Sequence, residues 1–306
     1  MRYESPATVK DAVAMLAKEK GKAFVLGGGT DLLVKMKAGM VEPDLVVDIK
    51  RIKGMRDIKK TASGFVIGAG TPCAALSENA ALVKAWPGVV EGASLIGSKQ
   101  VQGRCTMAGN LCNASPAADS VPGLVAAGAK VVIAGPKGKR KLAVEDVPAG
   151  VGRTVLKKGE FIESIELPKK DARSGDAYLR FIPRTEMDIA VVGVGVCLTL
   201  DGSGTCTAAR VARAARGVAR PLLRCTAAAV PRGGASGAVL FAESTAPDFC
   251  FVASTILKHW AWRAPFRLPQ AQGARRGGKT RCSKRACACT TCCSVRPCRA
   301  CAKRSK

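Results

Sequence analysis

Acidic side chains, aromatics and histidine are all scarce in this chain of 306 residues, and no apolar run in it is long. Aromatic residues make up 4% of the sequence, so its basic charge is not interleaved with rings that stack on nucleic-acid bases. The one histidine, His259, stands far along the chain, and the first two thirds offer no imidazole for acid–base work. The longest apolar stretch, Val191 to Leu200, is ten residues. A membrane-spanning helix needs about twenty, so this stretch reads as a buried strand. The opening MRYESPATVK lacks the basic-then-apolar order of an export signal. Together these absences predict a soluble, cytoplasmic protein without membrane insertion.

The net charge of +26 is unevenly spread. Residues 1–210 hold 30 Lys and Arg against 21 Asp and Glu, whereas residues 211–306 hold 19 against 2, Glu243 and Asp248. Cysteine divides the same way, five before the boundary and nine after it. The five (Cys73, Cys105, Cys112, Cys197, Cys206) are scattered and fit the ordinary thiols of a reducing compartment, with no metal-ligand spacing. Two compositions are joined in one chain, and the extremes belong to the second.

The stretch FVLGGGTDLL, Phe24 to Leu33, is the sharpest local signal. Phe24, Val25 and Leu26 read as a short buried strand, Gly27, Gly28 and Gly29 as a turn, and Thr30, Asp31 and Leu32 as the start of a helix. A strand, a glycine turn and a helix start form an arrangement that binds phosphate, because backbone amides can approach an anion where no Cβ intervenes. The bland reading is a tight turn. A second tract, TMAGNLCNASPAAD, carries Thr106, Ala108, Gly109, Asn110 and Asp119 among small and hydrogen-bonding residues. It suits a loop wrapped around a polar ligand, and equally a surface loop of Asx and Ser turns. The G-x-G-x-x-G fingerprint of the doubly wound dinucleotide fold is absent: after Gly27 and Gly29 the third position is Leu32. Gly193 and Gly195 sit inside an apolar run, where close packing explains them better.

Periodicity predicts an α+β protein with mixed and antiparallel strands. A helix over 5–21, capped by Thr8 or Ser5 and ended by Gly21, precedes the Phe24 strand. A strand at Leu45 to Ile49 completes a β-α-β unit. Further strands are expected at 64–70, 130–134, 140–144, 161–168, 178–182, 189–200 and 206–211. Helices are expected from Pro72, with Thr71 as its cap, and over 80–94.

Four tracts in order carry a resemblance that none carries alone: VLGGGTDLLVKMK, TMAGNLCNASPAAD, AGVGRTVLKKGEFIESIELP and RFIPRTEMDIAVVGVGV. In them the chain resembles the FAD-binding medium subunit of the molybdenum hydroxylases, the family of xanthine dehydrogenase, aerobic carbon monoxide dehydrogenase and 4-hydroxybenzoyl-CoA reductase. The likeness runs to about residue 212. It implies a PCMH-type FAD-binding fold with a small β-α-β subdomain (1–55), a larger α+β subdomain (56–172) and the start of a C-terminal flavoprotein domain (173–212). It implies that Val25 to Leu32 hold the FAD pyrophosphate, that Thr106 to Asn110 form the second flavin loop, and that Asp119 binds ribityl or ribose hydroxyls. It places Ile162 and Arg180 beside the flavin ring. The family usually has two glycines before the asparagine, and here the first is Ala108. An iron–sulfur small subunit, a molybdenum-cofactor large subunit and an acceptor such as NAD or quinone are the implied partners. The chain itself then needs no catalytic acid or base and no metal. The alternative enzyme reading is a free-standing flavin-dependent reductase.

Beyond residue 212 the family continues as a short, mixed-charge α/β domain, whereas here an Arg- and Cys-rich run follows. Three readings compete for 213–306: a disordered or foreign segment from a shifted reading frame, a metal site, or a nucleic-acid binder. Cys293, Cys298 and Cys301 have C-x4-C-x2-C spacing, but a fourth downstream cysteine is missing. Cys289, Cys292, Cys298 and Cys301 form two C-x2-C pairs with too short a linker for zinc. No nucleic-acid recognition module is visible. The abrupt change at the end of a strand favours the shifted frame. Translating the coding DNA downstream of Val211 in the other two frames should restore a mixed-charge α/β pattern; failure in both frames would revive the metal readings.

Overall fold

The computed structural model describes residues 1–184, 187–203, 206–215 and 223–227. The cysteine pairs of the basic segment and His259 lie outside the described residues.

The first elements are β1 (Arg2–Glu4), α1 (Val9–Lys18), β2 (Ala23–Leu26), α2 (Leu32–Lys37) and β3 (Leu45–Asp48). Helix α1 forms because Thr8 caps it, its hydroxyl accepting from the Asp11 amide at 3.1 Å, and because Ala12 and Leu16 fall on one buried face. It is shorter than the expected 5–21: Thr8 rather than Ser5 caps it, and the helix stops at Lys18, with Glu19 rather than Gly21 as C-cap. The three strands pair in parallel in the order β1-β3-β2, so the β-α-β unit gains an edge strand from a polar segment whose alternation is too short to read.

The next run comprises β4 (Ile58–Thr61), β5 (Gly64–Gly68), α3 (Cys73–Glu78), α4 (Ala80–Ala85), α5 (Pro87–Ser94), α6 (Lys99–Gln102), α7 (Met107–Asn113) and α8 (Ser120–Ala126). It continues as β6 (Lys130–Gly135), β7 (Gly138–Ala143), β8 (Pro148–Gly150), β9 (Arg153–Thr154) and β10 (Phe161–Pro168). Five of these strands form an antiparallel sheet in the order β4-β5-β10-β6-β7. The single helix expected over 80–94 is two, divided at Trp86, because Pro87 has no amide to continue the ladder. At α3 the cap is Pro72, and Thr71 is buried beside it, its hydroxyl donating to the Asp57 carbonyl at 3.4 Å.

Finally β11 (Ser174–Phe181), β12 (Val192–Leu200), β13 (Cys206–Ala215) and β14 (Leu223–Ala227) form an antiparallel sheet in sequence order. Helices α5 and α8 pack on it, and two glycines allow backbone to touch backbone. A Cβ on Gly88 would stand 2.6 Å from the Ala177 amide nitrogen, and one on Gly195 would stand 2.4 Å from the Pro122 carbonyl oxygen. The close-packing reading of Gly195 therefore holds. Gly193 is likewise pressed against the Tyr178 ring. Buried apolar residues from α1 (Leu16), β6 (Ile133), β10 (Ile165) and β13 (Ala212) belong to one continuous core cluster. Among the described residues no helix is long and apolar enough to cross a membrane.

Gly195→Val should lower stability by about 3 kcal/mol, because backbone cannot yield as a side-chain tip can. For a domain of this size the melting temperature then falls by roughly 10 °C. An unchanged melting temperature would show that α8 does not seat on β12 as described.

Candidate functional site

The first glycine tract and the second tract meet. Gly27, Gly28 and Gly29 leave the end of β2, and Thr106 opens α7 eighty residues later; the two segments border one cleft of about 240 Å³. Its wall includes Val25, Gly27 to Leu32, Thr106, Gly109 and Asn110. The contact that joins the segments is closer than side chains permit. A Cβ on Gly28 would lie 2.1 Å from the Arg104 carbonyl oxygen and 2.9 Å from the Cys105 Cα. Only glycine fits there. Gly29 serves a different need, holding φ of +84° so that the chain can turn into α2.

The far side of this junction is pinned by hydrogen bonds. A single β-bridge pairs Pro72 with Thr106, and the Cys73 amide donates to the Cys105 carbonyl at 2.9 Å. Thr106, itself buried, caps α7 by accepting from the Gly109 amide at 3.0 Å. Gly109 is needed for that cap, since a Cβ there would press on the Thr106 hydroxyl at 3.0 Å. Across the cleft mouth, Asn113 Nδ2 donates to Asp31 at 3.1 Å and its Oδ1 accepts from Lys35 Nζ at 2.6 Å. Asn113, Lys35 and Ile96 line the cleft but were not foreseen from sequence. Asn113 lies one helical turn beyond Asn110, a spacing that would have signalled a shared face.

The first loop is rich in unused donors. Among the described residues, the amides of Gly27, Gly28, Gly29 and Thr30 donate to no acceptor. Four successive free amides at a cleft wall provide an anion-binding surface. Helix α2 has six residues, so these amides rather than a macrodipole supply most of the attraction.

Five of the expected site residues do not line this cleft. Leu26 and Ala108 are buried behind its two walls, and Ile162 is buried in β10 at an irregularity of the ladder with β6. Asp119 and Arg180 form a partly buried pair: Arg180 Nη1 donates to Asp119 Oδ2 at 3.0 Å and to the Leu95 carbonyl at 2.7 Å. Tyr178 donates its hydroxyl to the other Asp119 oxygen at 3.0 Å. Burial pushes the Asp119 carboxyl above its usual range, against the opposing pull of Arg180 and the Tyr178 hydroxyl. Burial and the neighbouring Asp119 push the Tyr178 phenol well up, so it stays a neutral donor. This network reaches the second tract through the chain itself. Ser120, next to Asp119, donates its hydroxyl to Asn110 Oδ1 at 2.7 Å.

Comparison with known proteins is consistent with this geometry. Residues 1–170 match the family model described as "FAD binding domain in molybdopterin dehydrogenase". The chain is 32% identical to the carbon monoxide dehydrogenase medium chain of Afipia carboxidovorans over 68% of its own length and 72% of that protein. It is 28% identical to the nicotinate dehydrogenase FAD-subunit of Eubacterium barkeri, over 67% of its length and 71% of the relative. Among solved structures, carbon monoxide dehydrogenase from Hydrogenophaga pseudoflava superposes with a TM-score of 0.69 at 32% identity, covering 73% of this chain and 77% of the other.

Arg180→Met should destabilise the fold by about 2 kcal/mol in urea unfolding, because it leaves the partly buried Asp119 carboxylate without its cation. The double variant with Asp119→Asn should recover part of that loss. A double variant no better than the single one would show that the two side chains are not coupled. From the matched family model and from relatives at this identity and coverage, the chain belongs to the FAD-binding domain family of the molybdopterin dehydrogenases.

Proposed function

We propose that the free amides of Gly27 to Thr30 hold the FAD pyrophosphate and that Thr106 to Asn110 close on it from the other wall. The chain then serves as the FAD-binding subunit of a molybdenum hydroxylase complex. The observation that carries this reading is the convergence of two distant small-residue tracts on one cleft with unused donors. The residues fit the group: an anion needs donors and close approach, and the free amides of Gly27 to Thr30 border the cleft directly.

FAD when bound would supply one-electron uptake and two-electron release. The chain's own residues bind and orient. Thr106 fixes the first turn of α7, on which Gly109 and Asn110 border the same cleft as the loop. The Asn113 bridge to Asp31 and Lys35 sets the spacing of the two walls. Arg180, held by Asp119 and Leu95, places a fixed positive charge behind the second tract, where it favours added negative charge on a ring. Asp119 is proposed to reach ribityl or ribose hydroxyls with lone pairs that Arg180 and Tyr178 leave open, and Ile162 to pack near the ring. Such a subunit moves electrons without moving protons on a dedicated acid or base.

In this reading, electrons reach the flavin from an iron–sulfur small subunit after oxidation at a molybdenum-cofactor large subunit, and leave for NAD, a quinone or another acceptor. The domain division at residues 55 and 172 is part of the proposal, with a small and a larger subdomain of the PCMH type enclosing the cofactor. The parallel three-stranded sheet and the five-stranded sheet fall on either side of the first boundary.

The full chain should take up one FAD, seen as a flavin absorption band that co-elutes with the protein. Thr106→Ala should weaken the complex about fivefold, the effect of losing a helix cap of about 1 kcal/mol at the site. Equal affinity in the variant, or no flavin retained by the native chain, would contradict the assignment.

A further inference from the structure

The glycine loop has a second face. Gly27 and Gly28 also border a separate cleft of about 380 Å³, whose charged lining residues are Lys50, Arg56 and Arg104, with no carboxylate among its lining residues. The three cations are not equivalent. Lys50 is neutralised by Asp48, whose carboxylate lies 2.8 Å from its Nζ and also accepts from Tyr3. Arg56 and Arg104 are exposed and make no side-chain hydrogen bond or ion pair among the described residues. What sets this cleft apart is that three cations line it together and no carboxylate does, so its lining carries net positive charge.

The geometry points to a second anion site, taking the diphosphate group of a free nucleotide and backing onto the FAD cleft through the shared Gly27–Gly28 backbone. Guanidinium forks match phosphate oxygens bidentately, and two of them with an ammonium suit a diphosphate better than a single carboxylate. Bare backbone at Gly27, Gly28, Gly70 and Gly103 on the same lining lets an extended phosphate chain approach closely. The cleft is distinct from the one assigned to FAD, sharing with it only the two glycines. The inference rests on the FAD assignment only in treating the first cleft as taken.

The test is calorimetric titration of the FAD-saturated full chain with inorganic pyrophosphate and, separately, with ADP. Both should bind at one site. Arg56→Gln and Arg104→Gln should each weaken that binding about tenfold, as expected for the loss of one charge-assisted hydrogen bond. FAD affinity should change by less than about twofold in both variants, because their side chains lie outside the first cleft. Binding of pyrophosphate but not ADP would overturn the nucleotide assignment. Binding to the FAD-free chain that vanishes on FAD saturation would overturn the second site and leave the FAD reading intact. A tenfold loss of FAD affinity in either arginine variant would return this cleft to FAD's own phosphates and also overturn it. If the native chain takes no FAD, the reading under Proposed function fails instead. Pyrophosphate binding that disappears in both variants would then still uphold the second site, and binding that persists would overturn it.

Discussion

The approach of Gly28 to the Arg104–Cys105 backbone is the constraint on which the rest of the site depends. It brings together one segment that leaves the three-stranded sheet and one that lies between β5 and β6 of the five-stranded sheet, and it does so without side chains. Everything else at the cleft follows from that distance. Gly29 must turn at once into α2, Thr106 must cap α7 facing the loop, and Asn113 comes within reach of Asp31 and Lys35. The unused amides of the first loop are a consequence too: a chain packed this tightly against another backbone has no room to fold back and satisfy its own donors.

Behind the second wall, a partly buried ion pair does different work. Arg180 is held by Asp119, by the Leu95 carbonyl and indirectly by Tyr178, so one charge is fixed by three elements: β11, the chain before α8 and the end of α5. Burying a pair in this way adds little to stability but fixes position firmly. For a subunit whose task is to hold a cofactor at a set place, position is the quantity that matters.

Much of this was legible before the structure. The Phe24 strand and its glycine turn were plain from composition, as was the β6–β7 hairpin around Pro136 to Lys139. The packing role of Gly195 followed from its apolar surroundings. What escaped was set by tertiary contact. β1 and β4 are short and polar, and form only because a neighbouring strand offers them an edge. The break at Trp86 lies in a continuous helical pattern, and only the missing amide of Pro87 marks it. At the site, glycine and threonine announced themselves, whereas nothing in the sequence singled out Lys35 and Asn113 until the two tracts were brought together. The unpaired charges of Arg56 and Arg104 were hidden in the same way: a basic run says nothing of which cations lack a partner.

Amide hydrogen exchange followed by mass spectrometry, on the full chain with and without FAD, tests the two-walled site most directly. The cofactor should slow exchange in peptides covering residues 27–31 and 106–110 together, since both walls meet one ligand. Slowing confined to one of these segments, or to neither, would contradict it.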